Sequence, residues 1–359
     1  MSGMGITAIL TAASLFAASA APAPAVDRQV VEQALDQLTS DGGVLGVQVR
    51  ITDGRQQFTA RSGAAELDTT KPVPHNGKFR IGSVTKPFVS TVVLQLVGEG
   101  KAELDAPIAR YLPDLLPHKE ITVRQVLQHT GGLFSYTRAL PLSPDGFEPI
   151  RDKHWEASEL VAIAAERPLN FPPGTKWEYS NTNYIVAGML IEKLTGRTYP
   201  EAIEQRILKP LRLNDTYLPG DEQDIRGPHA HAYWTANGKP SDITHINPSV
   251  TGASGEMVST TRDLDTFIVA LTSGKLLKPA QQAELTRTTE VSRGYGLGLK
   301  VMTVCGTKVW GHGGGIPGFS TELFTTSDNR RRLVMSATIA PVSGTPRPAL
   351  DKLLNATFC

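Results

Sequence analysis

Cysteine, excess charge of one sign and long apolar runs are all scarce in this chain of 359 residues. The chain has two cysteines, and its 36 lysines and arginines against 35 aspartates and glutamates leave a net charge of +1. A balanced charge produces no long-range field of one sign, which argues against nucleic acid as a partner. Beyond the N-terminus no stretch approaches the roughly 20 apolar residues of a spanning helix, so we expect no stable membrane span in the mature protein.

Common signatures of hydrolases and cofactor enzymes are missing as well. The chain has no G-x-S-x-G nucleophile elbow, no H-E-x-x-H, no Cys/His set with zinc spacing and no phosphate-binding G-x-x-x-x-G-K-[ST] loop. His229, His231 and His245 are near one another, but the pattern contains no carboxylate or cysteine, so it is more typical of a solvated loop than of a metal site. The sequence therefore predicts no metal and no cofactor.

Apolar periodicity divides the chain into strands, a helical insertion and strands again. Strand-like runs cover residues 44–52 and 57–63, then 296–304, 308–311, 319–325 and 332–340. Helical spacing marks residues 30–38 and 347–358 at the two ends and several segments between them. The prediction is an α/β (α+β) fold with an antiparallel sheet flanked by helices, from residues 26–78 and 240–359, plus an all-helical lobe from residues 79–239.

The N-terminus is typical of a secretion signal. Residues 6–20 are apolar and uncharged, and small-x-small cleavage patterns follow at 18–20 and 23–25, although residues 1–5 carry no lysine or arginine. We expect residues 1–25 to be a signal peptide and the mature protein to be secreted, extracellular or periplasmic. Two cysteines in an exported chain suggest one disulfide, Cys305 with Cys359, and the alternative is a pair of unpaired buried thiols.

Ser83 and Lys86 form the only S-x-x-K pattern in the chain. They lie where an extended segment, residues 79–81, gives way to an apolar helix predicted over residues 87–97. A spacing of three places hydroxyl and amine on one helical face, and the amides of a first helical turn are unpaired donors. We therefore predict Ser83 as the nucleophile and a neutral Lys86 as its base. The alternative is a capping serine with a solvated lysine.

Tyr179 and Asn181 form the only Y-x-N pattern. They lie in a polar loop directly before a predicted apolar helix, residues 183–194. A phenol near the Ser83/Lys86 pair could relay a proton to a leaving nitrogen, and the amide could bind a substrate carbonyl. Ordinary capping of the following helix is the alternative interpretation.

His312 stands in a run of glycines after a predicted strand. H-x-G also occurs at His75 and His129, so the pattern itself is not specific, and its context singles out His312. Glycines allow a substrate backbone to lie against a strand edge, and the N–H of Gly315 could complete an oxyanion hole with that of Ser83. The alternative is a glycine-rich hairpin turn.

The order of these patterns resembles that of the penicillin-recognising serine enzymes, in the branch with class C β-lactamases, family VIII esterases and D-amino-acid peptidases. Within it the chain is most similar to secreted bacterial D-alanyl-D-alanine carboxypeptidases, from about Gly43 to Cys359. The resemblance rests on FRIGSVTKPF (79–88), LDAPIARYLPDLLP (104–117), ITVRQVLQHTGGL (121–133), WEYSNTNYIVAGMLIEKLTG (177–196) and GYGLGL (294–299).

The resemblance implies roles for the site residues. Ser83 would be acylated by the substrate, Lys86 and Tyr179 would share the proton transfers, Asn181 would hold the acyl side chain, and His312 would line the third wall. It also implies the predicted two-lobe fold and supports the pairing of the two cysteines. The expected activity is that of a D-alanyl-D-alanine carboxypeptidase or transpeptidase on peptidoglycan-type peptides, by a monomer that β-lactams acylate.

Several positions depart from the carboxypeptidase pattern. Hydroxyl residues are replaced by Gly313 and Gly315, Lys300 stands where an arginine is frequent, and an aromatic residue of the cleft wall is replaced near Val250. A single ammonium would then replace a bidentate fork for the substrate carboxylate. The absence of K-T-G argues against class A β-lactamases. The alternatives are a D-aminopeptidase or amidase, an esterase, a class C-like β-lactamase, or a penicillin-binding sensor without turnover.

Overall fold

The computed structural model describes residues 25–341 and 344–359, so the predicted signal peptide lies almost entirely outside the described residues. The strands are β1 (Val44–Asp53), β2 (Gln56–Gly63), β3 (Phe79–Arg80), β4 (Tyr233–Ala236), β5 (Lys239–Asp242), β6 (Val258–Ser259), β7 (Lys300–Val304), β8 (Thr307–Ile316), β9 (Phe319–Thr326) and β10 (Arg331–Ile339). Six of them form an antiparallel sheet, in the order β2-β1-β10-β9-β8-β7, which makes up one half of the molecule.

Helices cover one face of this sheet and build the second lobe. They are α1 (Arg28–Asp41), α2 (Thr85–Gly98), α3 (Val123–Gln128), α4 (Pro144–Phe147), α5 (Ala157–Ala165), α6 (Thr182–Thr195), α7 (Tyr199–Ile203), α8 (Lys209–Leu211), α9 (Thr261–Thr272), α10 (Pro279–Leu285) and α11 (Arg347–Phe358). A short 3-10 turn, Gly82–Val84, leads into α2. The α/β class with an antiparallel sheet and a helical lobe was therefore predicted correctly.

Apolar periodicity explains how the terminal helices and the sheet pack. The buried side chains of α1 include Val31 and Leu35, which follow helical spacing, and they join Leu353 of α11 over one face of the sheet. Val49 of β1 and Leu333 of β10 point into this layer. Because α1 and α11 each bury one apolar stripe, the two ends of the chain cover the same face.

The opposite face of the sheet shares a single core with the helical lobe. Helix α2 is apolar on all sides and lies between the two, and its Phe88 stacks on Phe267 of α9 with ring centres 3.5 Å apart. Leu323 of β9 and Val334 of β10 meet this core from the sheet side. A helix buried on every side has a fixed position, so residues carried by its first turn are held rigidly.

Two elements differ from the sequence prediction. Strand β8 continues through the glycine run to Ile316, which pairs with Phe319 of β9, whereas β7 begins only at Lys300. Backbone pairing thus overrides the turn tendency of the glycines. A further hairpin, β4–β5, turns at Asn237-Gly238, a strong hairpin signal that sequence reading passed over.

Two further expectations concern a membrane span and a disulfide. No helix within residues 25–341 and 344–359 is long and apolar enough to cross a membrane. The structure joins Cys305, in the turn after β7, to Cys359, the residue after α11, with their Cα atoms 5.5 Å apart. This link ties the C-terminal helix to the hairpin that leads into β8.

Candidate active site

Close backbone packing sets the position of Ser83. Its neighbour Gly82 adopts φ +51°, and a Cβ there would come within 2.8 Å of the Gly315 nitrogen. A Cβ on Gly314 would overlap the carbonyl oxygen of Ile81. Glycines on both sides therefore let the turn that carries Ser83 touch strand β8 directly. This contact gives the glycine run a structural purpose beside the one suggested by sequence.

Lys86 is fully buried and has three polar neighbours. Its Nζ lies 3.0 Å from the Ser83 Oγ, 2.8 Å from the Asn181 Oδ1 and 2.7 Å from the backbone oxygen of Ser254. Burial lowers the pKa of this amine well below its usual value, and the positive charge of Lys300 lowers it further.

The neutral amine fits these neighbours in one way. A neutral Lys86 has two N–H donors and one lone pair, and the Asn181 Oδ1 and the Ser254 oxygen can only accept. Both donors are thereby occupied, and the lone pair is left facing the hydroxyl of Ser83. The arrangement makes Lys86 a base for Ser83, and the Ser254 carbonyl is a partner that sequence reasoning missed.

Tyr179 lies over the same amine. The Lys86 Nζ is 4.8 Å from the centre of its ring, and its buried hydroxyl has no hydrogen-bond partner among the described residues. Burial raises the pKa of the phenol well above its usual value, against the opposing effect of the nearby Ser83 hydroxyl. The resting group is therefore a protonated phenol, ready to donate to a leaving atom.

Asn181 joins the segment that carries Ser135 and Thr137 to Lys86. Its backbone N–H donates to the Ser135 Oγ at 3.1 Å, and its Nδ2 donates to the Thr137 Oγ1 at 3.4 Å. Its Oδ1 is taken by Lys86, as described above. An amide nitrogen carries two hydrogens, so one remains for a substrate carbonyl.

His312 lies behind the wall of the site rather than on it. The ring is buried, its Nδ1 donates to the Gly313 oxygen at 2.5 Å, and its Nε2 accepts from the Tyr295 hydroxyl at 2.9 Å. Burial lowers its pKa to about 3. Both nitrogens are occupied and the ring is neutral, so the structure gives His312 a supporting position instead of a free acid or base.

Strand β8 presents an edge to the site. Strand β7 pairs with it only as far as Gly311, so residues 312–316 have no strand partner on that side within the described chain. A Cβ on Gly315 would meet no described atom within 4 Å, and one on Gly313 would lie 3.2 Å from a carboxyl oxygen of Glu322. Packing therefore leaves open space for a Cβ at Gly315, allows only a tight fit at Gly313 and excludes one at Gly314.

The charged groups beside this edge are a lysine and a half-buried acid. Lys300 is exposed at the start of β7, opposite Gly311, and its charge reaches both Lys86 and His312. Burial raises the pKa of Glu322 to about 7, against the opposing charges of Lys300 and Arg347. The edge thus carries a partly protonated carboxyl where the carboxypeptidase pattern led us to expect hydroxyls.

His129 is the main residue that sequence reasoning missed. Its Nδ1 accepts from the Ser180 N–H at 3.2 Å and from the Asn183 Nδ2 at 3.0 Å, and its backbone oxygen accepts from the Glu178 N–H. Its ring lies against that of Tyr179, with centres 4.3 Å apart. Sequence context favours the H-x-G of His312 over that of His129, but His129 binds the segment that carries Tyr179 and Asn181.

Two other positions are now placed. Val250 is buried, and its backbone oxygen accepts from the Tyr136 hydroxyl at 2.7 Å. S-D-N, another motif of class A β-lactamases, occurs once, at residues 327–329 in the turn between β9 and β10. There Asn329 accepts from Thr272 and Thr325, so the tripeptide has a structural place away from Ser83.

Comparison with known proteins now identifies the family. A family model described as Beta-lactamase matches residues 30–356. The chain belongs to the β-lactamase family. It is a serine hydrolase of the fold shared by β-lactamases and penicillin-binding proteins, as the resemblance of its motifs predicted.

Several of the similar proteins are named for an action on D-amino-acid compounds. A D-stereospecific amidohydrolase from Streptomyces sp. is 39% identical, with a TM-score of 0.85 over 93% of this chain and 99% of that one. The D-amino acid amidase from Ochrobactrum anthropi SV3, complexed with L-phenylalanine amide, is 29% identical, with a TM-score of 0.80 over 91% and 97%. A D-aminopeptidase of Cereibacter sphaeroides is 30% identical over 86% of this chain and 60% of its own length. The chain thus spans about three fifths of that curated relative.

Proposed function

We propose that the protein is a D-aminopeptidase or D-amino-acid amidase, which hydrolyses the amide bond that follows a D-configured residue. The preference for the D configuration rests on the likeness to the D-stereospecific amidohydrolase and the D-amino acid amidase. A D-alanyl-D-alanine carboxypeptidase, the first expectation from sequence, has less support than this alternative.

The geometry of the site supports the following reaction. Lys86 takes the proton of Ser83 as its Oγ attacks the amide carbonyl, and the backbone N–H groups of Ser83 and Gly315 stabilise the oxyanion. The C–N bond then breaks, and the leaving nitrogen receives a proton from Tyr179, which is replenished by Lys86. Water attacks the acyl-enzyme by the reverse proton path and releases the free acid.

The observation that carries the proposal is the chemistry beside β8. A free substrate carboxylate next to the oxyanion hole would meet Gly313 and Gly315 in place of hydroxyls, and the half-buried acid Glu322 behind them. Lys300 offers a single ammonium at the position where the family resemblance leads us to expect an arginine. Such an edge favours a neutral leaving group, such as ammonia or an amine, over the terminal D-alanine of a carboxypeptidase substrate.

A panel of three substrates tests this proposal. We expect hydrolysis of D-phenylalanine amide at least tenfold faster, by kcat/KM, than of L-phenylalanine amide or of an acylated D-Ala-D-Ala peptide, and no hydrolysis by Ser83→Ala. Gly315→Thr restores a hydroxyl where a Cβ meets no described atom within 4 Å, and it should reduce the difference in kcat/KM between the D-amide and the D-Ala-D-Ala peptide. Faster turnover of the D-Ala-D-Ala peptide by the unmodified enzyme would reject the proposal in favour of the carboxypeptidase.

Export is a separate proposal, supported by the N-terminal pattern and by the disulfide between Cys305 and Cys359. Expression of the full chain in a bacterium with its native N-terminus should yield a processed protein outside the cytoplasm. N-terminal sequencing that finds residue 1 retained on a cytoplasmic product would contradict it.

A further inference from the structure

Three potential metal ligands gather on the β4–β5 hairpin, outside the catalytic site. One nitrogen each of His231 and His245 and one carboxylate oxygen of Asp242 all lie within 4.8 Å of one another. His231 lies two residues before β4, Asp242 ends β5, and Tyr233 pairs with Asp242 across the hairpin. The carboxylate that the sequence pattern lacked is therefore supplied by strand pairing.

The surrounding groups orient the two imidazoles. The His245 Nδ1 is 2.5 Å from the Asp224 Oδ1, which places its proton on Nδ1 and leaves the lone pair of Nε2 available. A carboxylate behind a histidine in this way is the usual support of a histidine that binds a metal. The His231 Nδ1 is 2.7 Å from the Asp242 Oδ2, and its Nε2 is 3.6 Å from the Glu66 Oε1.

The charges near the hairpin suit a divalent cation. Three carboxylates surround the imidazoles, those of Asp242, Asp224 and Glu66. The positive groups close to them are Lys71, which pairs with Glu66, and the buried Arg80. Two imidazoles and a carboxylate are a donor set that suits Zn²⁺, with water completing the coordination.

We propose that His231, Asp242 and His245 bind one Zn²⁺, which fastens the β4–β5 hairpin and takes no part in acyl transfer. The side chains of these three residues are 24%, 33% and 40% exposed, so an ion can reach them without opening of the fold. No other group of at least three His, Cys, Asp or Glu ligands is brought together in the described part of the chain.

The hairpin is connected to the segment that carries Ser83. Thr244 stands between Asp242 and His245, and its backbone oxygen accepts from the Arg80 Nη2 at 3.1 Å and from its Nε at 3.3 Å. Arg80 is three residues before Ser83 and is buried. A bound ion fixes the position of the Thr244 carbonyl, which accepts from Arg80. The ion should therefore raise the stability of the fold.

Calorimetric titration of chelator-treated protein with ZnCl₂ tests the site. We expect one Zn²⁺ per chain with a micromolar dissociation constant, and a rise in melting temperature of about 4 °C at a hundredfold excess over that constant. Co²⁺ in place of Zn²⁺ should give visible absorption bands of a site with nitrogen and oxygen ligands.

Variants locate the ion. His245→Ala should weaken Zn²⁺ binding at least tenfold and abolish the thermal shift, with the rate of ester hydrolysis unchanged. His75→Ala, which removes an exposed histidine outside the cluster, is the matched control and should bind as the unmodified chain does. If the His245→Ala variant folds poorly, the His231→Ala and Asp242→Asn variants repeat the test. Absence of binding by the unmodified chain, or equal binding by the His245→Ala and His75→Ala variants, would overturn the proposal.

Discussion

Replacement of His129 tests how the Tyr179 segment is held in place. The Nδ1 of His129 accepts two buried N–H groups, from Ser180 and Asn183. His129→Phe keeps a ring against Tyr179 but removes the one nitrogen that accepts from both donors. Each buried donor left without a partner costs about 1–3 kcal/mol, so the variant should lose roughly 2–6 kcal/mol of stability unless the segment moves.

Movement of that segment has a catalytic cost. Tyr179 and Asn181 both contact Lys86, and a displacement of about 1 Å at a catalytic group can cost on the order of a hundredfold in rate. We therefore expect His129→Phe to lower kcat by about that factor, with a smaller change in KM, in hydrolysis of a small ester. Urea denaturation of the same samples measures the loss of stability.

His129→Asn is the matched variant. Its Oδ1 can accept from the Ser180 N–H, and asparagine tolerates the left-handed backbone of this position, where φ is 62°. It should recover part of the kcat that His129→Phe loses. Unchanged kcat in His129→Phe, or an asparagine variant no faster than the phenylalanine variant, would refute the positioning role.

Two further predictions concern the glycine run and the disulfide. Gly314→Ala forces a Cβ onto the Ile81 oxygen and should cost roughly 1–3 kcal/mol together with activity, whereas Gly315→Ala enters open space and should change stability by less than about 0.5 kcal/mol; similar losses in urea denaturation would contradict the packing. Conversion of Cys305 and Cys359 to serine opens a loop with a sequence separation of 54, so denaturation should show a loss of about 4 kcal/mol, and an unchanged midpoint would show that the link does not stabilise the fold.

Short-range patterns carried most of what could be predicted. The S-x-x-K spacing puts Ser83 and Lys86 on one face of a helical turn, and their Oγ and Nζ atoms lie 3.0 Å apart. The alternation of apolar residues likewise marked the sheet strands and both terminal helices. These features depend on residues within a few positions of one another.

Contacts between residues far apart in the sequence could not be predicted from it. His129 meets Ser180 across 51 positions, and Lys86 meets the Ser254 backbone oxygen across 168. Every residue has a backbone oxygen, so the sequence does not show which one will bind Lys86. The three H-x-G patterns are also alike in sequence, and only the fold shows their different positions. Asp242 joined His231 only through a hairpin pairing, which periodicity did not predict.

The pH dependence of acylation tests the neutral amine of Lys86 most directly. Burial lowers the pKa of His312 to about 3 and raises that of Tyr179, so neither group changes charge near neutral pH. Two groups beside Ser83 remain, Lys86, whose pKa burial lowers, and Glu322, whose pKa burial raises to about 7. Since only neutral Lys86 can accept the proton of Ser83, kcat/KM for a small neutral ester should rise with pH through the pKa of Lys86.

Two variants assign that rise. The charge of Lys300 lowers the pKa of Lys86, so Lys300→Met should move the rise to higher pH, while Glu322→Gln should leave it in place. A rate independent of pH over this range, or a rise that stays fixed in Lys300→Met and disappears in Glu322→Gln, would contradict a neutral Lys86 as the base.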